Sequence, residues 1–221
     1  MIVVRGKRTY ELSRSELEQL ISPFEKVLVD VGTGDGRFVV AYARANPATF
    51  AIGFDPVAPA MEASSFSAAR KRERGGTPNA LFVVATAEDT PPELEDIADE
   101  VSVLLPWGRL LRGVLLGHSD VLGSLARIGR PGARLWIVLN NEIFEDPVPL
   151  DAAELPEATV DYATTELKPL YARAGIRLEE VRFLDEDEVK RLRTTWSRRL
   201  AHGRAPRFLE LIGTVGAEEA G

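Results

Sequence analysis

Cysteine is absent from the 221-residue chain, and histidine occurs only as His118 and His202. Without thiols there is no disulfide framework, no thiolate nucleophile and no zinc site built on sulfur, and two imidazoles are too few for a histidine cage. No apolar run approaches the roughly 20 residues that span a bilayer. The opening Met1-Ile2-Val3-Val4-Arg5-Gly6-Lys7-Arg8 also lacks the apolar core of a signal peptide. A cytoplasmic protein with neither membrane nor metal is therefore expected. Repeats of fixed period and low-complexity tracts are missing too, which argues against a solenoid or two linker-joined domains.

What is present is ordinary in amount and uneven in placement. Hydrophobic residues make up 45% of the chain and charged residues 28%, close to folded soluble domains in general. The length suits one α/β domain over residues 1–221 with insertions. A net charge of −7 disfavours a nonspecific polyanion binder. Basic residues nevertheless cluster at Arg70, Lys71, Arg72 and Arg74 and again from Lys190 to Arg207, while acids crowd 88–100 and 185–188. A local basic face is compatible with that segregation.

Short β-branched runs alternate with longer helical segments, the pattern of βαβ units in a parallel sheet. Strands are expected at about 27–31, 50–54, 80–85, 100–105, 134–139, 177–183 and 208–215, which gives an α/β fold with a doubly wound, seven-stranded, Rossmann-like sheet. Helices are expected at about 13–21, 37–45, 59–72, 110–128 with a break at 117–119, and 161–174; Gly129-Arg130-Pro131-Gly132 reads as a turn. Two stretches, 140–160 and 185–206, fit no βα alternation and read as inserted loops suited to substrate recognition.

The segment Val27-Leu28-Val29-Asp30-Val31-Gly32-Thr33-Gly34-Asp35-Gly36-Arg37 ends an apolar strand on an acid and turns through three glycines into a helix. Glycine suits a tight reversal that lets a ligand lie against bare backbone. Asp55 ends the next strand, where an acid in this fold accepts hydrogen bonds from ribose hydroxyls. A dinucleotide fingerprint, G-x-G-x-x-G, faces a pyrophosphate; here Arg37 stands where its last glycine would fall, and Asp30 and Asp35 border the turn. Carboxylates there repel a pyrophosphate and attract an ammonium. The pattern resembles the first motif of class I S-adenosylmethionine-dependent methyltransferases, a likeness covering roughly 26–139. That resemblance implies S-adenosylmethionine held with Asp30, Gly32 and Gly34 by its methionine part, Asp55 on its ribose, and Ala87 and Glu88 by its adenine, with Leu104 completing the cofactor-binding set. A solvated surface acid is the competing reading of Glu88.

After the fourth expected strand comes Leu104-Leu105-Pro106-Trp107-Gly108, where amino-methylating members of that class carry a motif ending in proline and an aromatic. Trp107 could instead cap the core. A second tryptophan, in Arg193-Thr194-Thr195-Trp196-Ser197-Arg198-Arg199, lies inside the basic insertion, as expected for stacking on a base while arginines hold phosphates; Trp136 reads as core. Together, Val-Asp-Val-Gly-Thr-Gly-Asp-Gly-Arg, Leu-Pro-Trp-Gly and Thr-Thr-Trp-Ser-Arg-Arg-Leu resemble the aminoglycoside-resistance methyltransferases that modify N1 of adenine-1408 in 16S rRNA, over about 29–211. The resemblance implies that Trp107 and Trp196 sandwich the flipped adenine as the catalytic pair. It further implies that Arg70, Lys71, Arg72, Arg198, Arg199, Arg204 and Arg207 contact the rRNA of the 30S subunit.

Adenine N1 has a lone pair and is unprotonated at neutral pH, so methylating it asks for positioning and desolvation without an obligatory base. Lack of a cysteine disfavours carbon-5 pyrimidine methylation by a covalent route. A small-molecule methyltransferase, with Trp107 lining a pocket, and a non-catalytic RNA-binding module are the rival readings of the same residues.

Overall fold

The computed structural model describes residues 1–141, 154–185, 187–188 and 207–216. A single mixed sheet forms its centre, with β1 (Ile2–Arg5), β2 (Arg8–Glu11), β3 (Lys26–Val31), β4 (Thr49–Asp55), β5 (Ala80–Val84), β6 (Ala98–Leu104), β7 (Gly129–Asn140), β8 (Ile176–Phe183) and β9 (Phe208–Val215) in the spatial order β2-β1-β5-β4-β3-β6-β7-β9-β8. Neighbours from β5 through β7 run parallel, while β9 is antiparallel to both β7 and β8. All seven expected strands are present, but among the described residues the sheet has nine. The additional pair is an N-terminal hairpin that joins antiparallel to β5. It escaped notice because β2 is exposed at every position and so carries no alternation of apolar and polar residues.

Helices α1 (Arg14–Ile21), α2 (Arg37–Ala45), α3 (Ala58–Ala68), α4 (Gly108–Leu116) and α5 (Ser119–Ile128) follow in order, then α6 (Val160–Tyr162), which passes through a π-helical turn (Ala163–Leu167) into α7 (Lys168–Arg173). Two sequence expectations need correction. α3 stops at Ala68 instead of reaching Arg72, and Arg72–Arg74 forms a separate 3-10 turn closed by Gly75 at φ 77°. The expected turn at 129–132 lies within β7: Ala98 pairs with Gly129 and Glu100 with Arg134, so 130–133 bulge out opposite Asp99. Pro131 and Gly132 mark the bulge, a role their residue types also fit.

The strands read as near-continuous apolar runs because both their faces are covered. Val27, Val29 and Val31 of β3 and Phe50, Ile52 and Phe54 of β4 pack with Leu17 of α1, Leu111 and Val114 of α4, Leu125 of α5 and Tyr171 of α7. The intervening Leu28, Ala51 and Phe82 pack with Val39, Val40 and Ala43 of α2 and Met61 of α3. Alternate side chains on one strand point to opposite faces, so these clusters are two layers on either side of the sheet.

The end of α4 is closed from outside the helix. Gly117 takes the left-handed conformation at φ 67° and, like His118, donates its N–H to Gly113 O. His118 is therefore diverted from the Val114 carbonyl, its helical partner. Tyr171 donates to that carbonyl at 3.0 Å and Tyr162 to Leu115 O at 2.9 Å, satisfying groups a helix terminus leaves open. Burial pushes the Tyr171 phenol far up from its usual pKa, so it remains a donor at ordinary pH. Tyr171→Phe is expected to cost about 1–3 kcal/mol, because the Val114 carbonyl is left buried and unpaired, and half-buried Tyr162→Phe about 0.5–1.5 kcal/mol. Urea unfolding of both variants checks this; negligible losses in both would contradict the capping role.

Candidate active site and its nucleotide cleft

The chain leaves β3 and proceeds to β4 on one side, then later places β6 on the other, so a crevice opens at the carboxyl ends of β3 and β6. The turn after β3 is stitched to the end of β4: Gly32 and Thr33 both donate their N–H to Phe54 O, at 2.9 and 3.0 Å. Gly34 and Gly36 hold φ of 59° and 72°, a region that strains any residue with a Cβ. A Cβ at Gly36 would also stand 2.3 Å from Phe82 Cε1, whereas one at Gly34 would meet nothing. Gly36 is thus required by packing, and Gly34 leaves backbone bare toward the cleft.

Around this turn lies a cleft of about 640 Å³. The sequence-predicted Asp30, Gly32, Gly34, Asp55, Ala87, Glu88, Leu104 and Trp107 all line it. Asp55 holds two backbone donors, Gly34 N–H on Oδ2 at 3.1 Å and Val57 N–H on Oδ1 at 2.9 Å, which fixes the carboxylate and leaves a lone pair on each oxygen for hydroxyl donors. Glu88 is partly buried in the cleft lining and has exposed Arg109 at 3.7 Å. The first N–H of α2, from Arg37, is taken at 3.1 Å by the Asp35 carboxylate. The protein's own anion therefore sits where a pyrophosphate would dock.

Asp30 is only 3% exposed. Burial pushes its carboxyl up to about 7, opposed by the Ser102 hydroxyl, which donates to Oδ1 at 2.7 Å. Thr33 lowers it further from alongside, although its hydroxyl closes no hydrogen bond of ordinary geometry. A cationic group placed beside a buried carboxyl with a raised pKa would favour its ionised form.

Sequence reasoning missed Ser102, Phe38 and the backbone of Leu105. Ser102 had a signal, a lone hydroxyl in the apolar run Val101-Ser102-Val103; Phe38 had none, since its cleft-facing position depends on how α2 leaves the turn. Leu105 adopts φ 52° immediately before Pro106, a conformation costing about 1–3 kcal/mol for a residue with a side chain. Its N–H is held by Val138 O at 2.8 Å, and the kink turns the chain so that Trp107, 50% exposed, stands in the cleft wall as the residue before α4. Trp136 is half-buried, edge-on to Phe38 with centroids 6.1 Å apart, and donates its indole N–H to Glu210 at 2.8 Å.

Arg70, Lys71 and Arg72 are not in the cleft; they are exposed beyond the end of α3. Arg207 is exposed as well, its guanidinium 5.0 Å over the Phe183 ring. Trp196, Arg198, Arg199 and Arg204 lie outside the described residues. Among the described residues no group of acids and histidines could hold a metal, and no helix is long and apolar enough to cross a membrane.

A family model described as NpmA: 16S rRNA (adenine(1408)-N(1))-methyltransferase matches residues 2–215. A 16S rRNA (adenine(1408)-N(1))-methyltransferase from Streptoalloteichus tenebrarius is 44% identical over 214 residues, covering 96% of this chain and 98% of that protein. Among solved structures, a mutant 16S rRNA (adenine(1408)-N(1))-methyltransferase from Catenulisporales acidiphilia with cosubstrate SAM superposes with a TM-score of 0.91 at 36% identity, covering 100% of this chain and 99% of that one. The aminoglycoside resistance methyltransferase NpmB1 superposes with a TM-score of 0.84 at 39% identity, covering 97% and 100%.

The buried carboxyl makes a pH prediction. Its folded pKa, about 7, is raised above the ordinary 3.8, so the protonated form favours folding. That contribution is complete below about pH 4 and is lost as pH rises through 7, on the order of 4 kcal/mol in all. In the unliganded protein, the stability difference between wild type and Asp30→Asn should therefore shift against wild type across this window. Urea titrations at pH 4.5 to 8 measure it, and a difference independent of pH would contradict the buried-acid account.

Proposed function

Because the chain belongs to the 16S rRNA (adenine(1408)-N(1))-methyltransferase family, we propose that its cleft brings N1 of adenine-1408 to S-adenosylmethionine, within the assembled 30S subunit, and that the modification confers aminoglycoside resistance. The protein is a SAM-dependent rRNA (adenine-N1) methyltransferase. The observation that supports this cleft as the site is convergence: the Gly-rich turn, the ribose-type acid Asp55, the Ala87-Glu88 wall and exposed Trp107 come from separate segments and line one cavity.

S-adenosylmethionine supplies a methyl group on a sulfonium. In this reading Asp30, Gly32 and Gly34 face its methionine part, Asp55 accepts from its ribose hydroxyls, and Ala87, Glu88 and Leu104 border its base. The remaining work is positional. Trp107 offers an indole face at the cleft, and Trp196, in the 185–206 segment, supplies the opposing one, so that an extruded adenine is held flat and dry between them. Extrusion costs a few kcal/mol, which stacking offsets. As positive charge develops on the base, each π-face stabilises it by about 0.5–2 kcal/mol.

Arg70, Lys71 and Arg72 beyond α3, Arg207 before β9, and Arg198, Arg199 and Arg204 are the proposed phosphate contacts, which orient the protein on the RNA without reading the base. The same reading takes residues 1–221 as one domain with a doubly wound sheet, supported by the two layers of helices, and takes 140–160 and 185–206 as its substrate-recognition segments. A cytoplasmic location fits a ribosomal substrate.

The test is methyl transfer from labelled cofactor to 30S subunits, by wild type and by Trp107 and Trp196 variants. Either Trp→Ala should slow transfer roughly five- to 150-fold, the equivalent of about 1–3 kcal/mol of stacking, with Phe retaining more activity than Ala. The double variant should lose less than the sum of the singles, since both act on one extruded base. Cofactor affinity and Tm should stay close to wild type for Trp107, half of which is already in solvent. A large fall in Tm with normal activity per folded molecule would make both residues structural.

A further inference from the structure

The N-terminal hairpin carries charge that the fold itself does not use. Arg5 and Arg8 are direct cross-strand partners, a like-charge pairing that works against the hairpin, and Lys7 sits between them in the turn. Among the described residues none of the three takes part in an ion pair. Charged side chains on a free sheet edge can serve to block edge pairing, but β2 is the edge; Arg5 belongs to β1, inside it, and Lys7 to the turn.

The hairpin tip is pinned to the helix that leads into the other basic cluster. Gly6 donates its N–H to Ser65 Oγ of α3 at 2.9 Å. It also packs so closely on Phe66 that a Cβ at Gly6 would stand 3.3 Å from the ring. Phe66 is nevertheless 60% exposed, and the Arg70 guanidinium lies 5.5 Å over its ring. Residues far apart in sequence thus form one surface, running from the tip across an exposed aromatic to Arg70–Arg74, where Glu73 is the single acid.

This surface is far from the cleft. β1 runs antiparallel to β5, with Ile2 opposite Val84 and Val3 opposite Val83, so Arg5 lies toward the amino end of β5, while the cleft lies at the carboxyl ends of the parallel strands. The 11 residues of α3 separate the two ends by about 16 Å. A partner that fills the cleft with a base and also meets the tip must be an extended, folded polyanion.

We propose that the β1–β2 hairpin tip, through Arg5, Lys7 and Arg8 joined to Phe66 and Arg70, is a second rRNA-docking surface that grips phosphates of the 30S subunit remote from the target adenine. The proposal rests on the rRNA methyltransferase reading and extends its footprint to the opposite end of the sheet.

The experiment measures 30S affinity over a salt series, labelled methyl transfer, cofactor affinity and Tm for wild type, Lys7→Glu and the triple variant Arg5→Gln/Lys7→Glu/Arg8→Gln. Kd for 30S should rise about tenfold or more in the triple variant, with the slope of log affinity against log salt falling by about 0.7–0.9 for each phosphate no longer neutralised; Lys7→Glu should show a smaller change in the same sense. Cofactor affinity should be unchanged and Tm should not fall, since the triple variant also removes the Arg5–Arg8 like-charge pairing. A photo-crosslinker at position 7 should join to rRNA. Unchanged affinity and slope in both variants, or crosslinking only to a ribosomal protein, overturns the docking surface while wild-type methylation of 30S leaves the catalytic reading intact. Absence of methyl transfer by wild type overturns both.

Discussion

A carboxyl kept out of water at the end of the central strand is the constraint on which the site depends. Asp30 stands where the sheet's connections diverge, β4 to one side and β6 to the other, and the Ser102 hydroxyl reaches it from β6. An ionised carboxylate in that position is costly alone. The fold accommodates it with one hydroxyl donor and a pKa near 7, instead of an internal cation. A cationic group brought beside it would favour the ionised form, and Gly32 and Gly34 line the cleft next to it.

The rim of the cleft is fixed by what happens at both ends of α4. At the amino end, strained Leu105 and buried Pro106 aim Trp107 into the wall. At the carboxyl end, two tyrosine hydroxyls from the α6–α7 segment close the helix. A second tie sits farther along the sheet, where Arg182 of β8 pairs with Glu188 through two 2.8 Å bonds and with Glu210 of β9 at 2.7 Å, an ion pair whose angle falls short of a hydrogen bond. One guanidinium thus ties Glu188, just after β8, to β9.

The strand-end residues of the cleft were legible because they are local in sequence. Asp30, Gly32, Gly34 and Asp55 each follow directly from where a strand ends, and strands of the parallel region announce themselves as buried apolar runs. The resemblance paired Trp107, whose position alone left core and cleft open, with Trp196, which its arginine-rich surroundings had already marked for base stacking. What stayed hidden depends on contacts between distant segments. The hairpin has no apolar alternation of its own and is held by α3 and β5; the 130–133 bulge appears only once β6 sets the register; Phe38 reaches the cleft only through the packing of α2. The 70–74 cluster was legible as a basic run despite the acidic total; that residues 5–8 join it was not, because the link is the contact of Gly6 with Ser65 and Phe66.

Locating the methyl group tests the account most directly. After incubation of 30S subunits with the protein and S-adenosylmethionine, primer extension across 16S rRNA should stop at adenine-1408, because N1 methylation blocks base pairing there, and mass analysis of the digested RNA should find 1-methyladenine. A stop at another nucleotide, or label appearing only in small molecules, would contradict it.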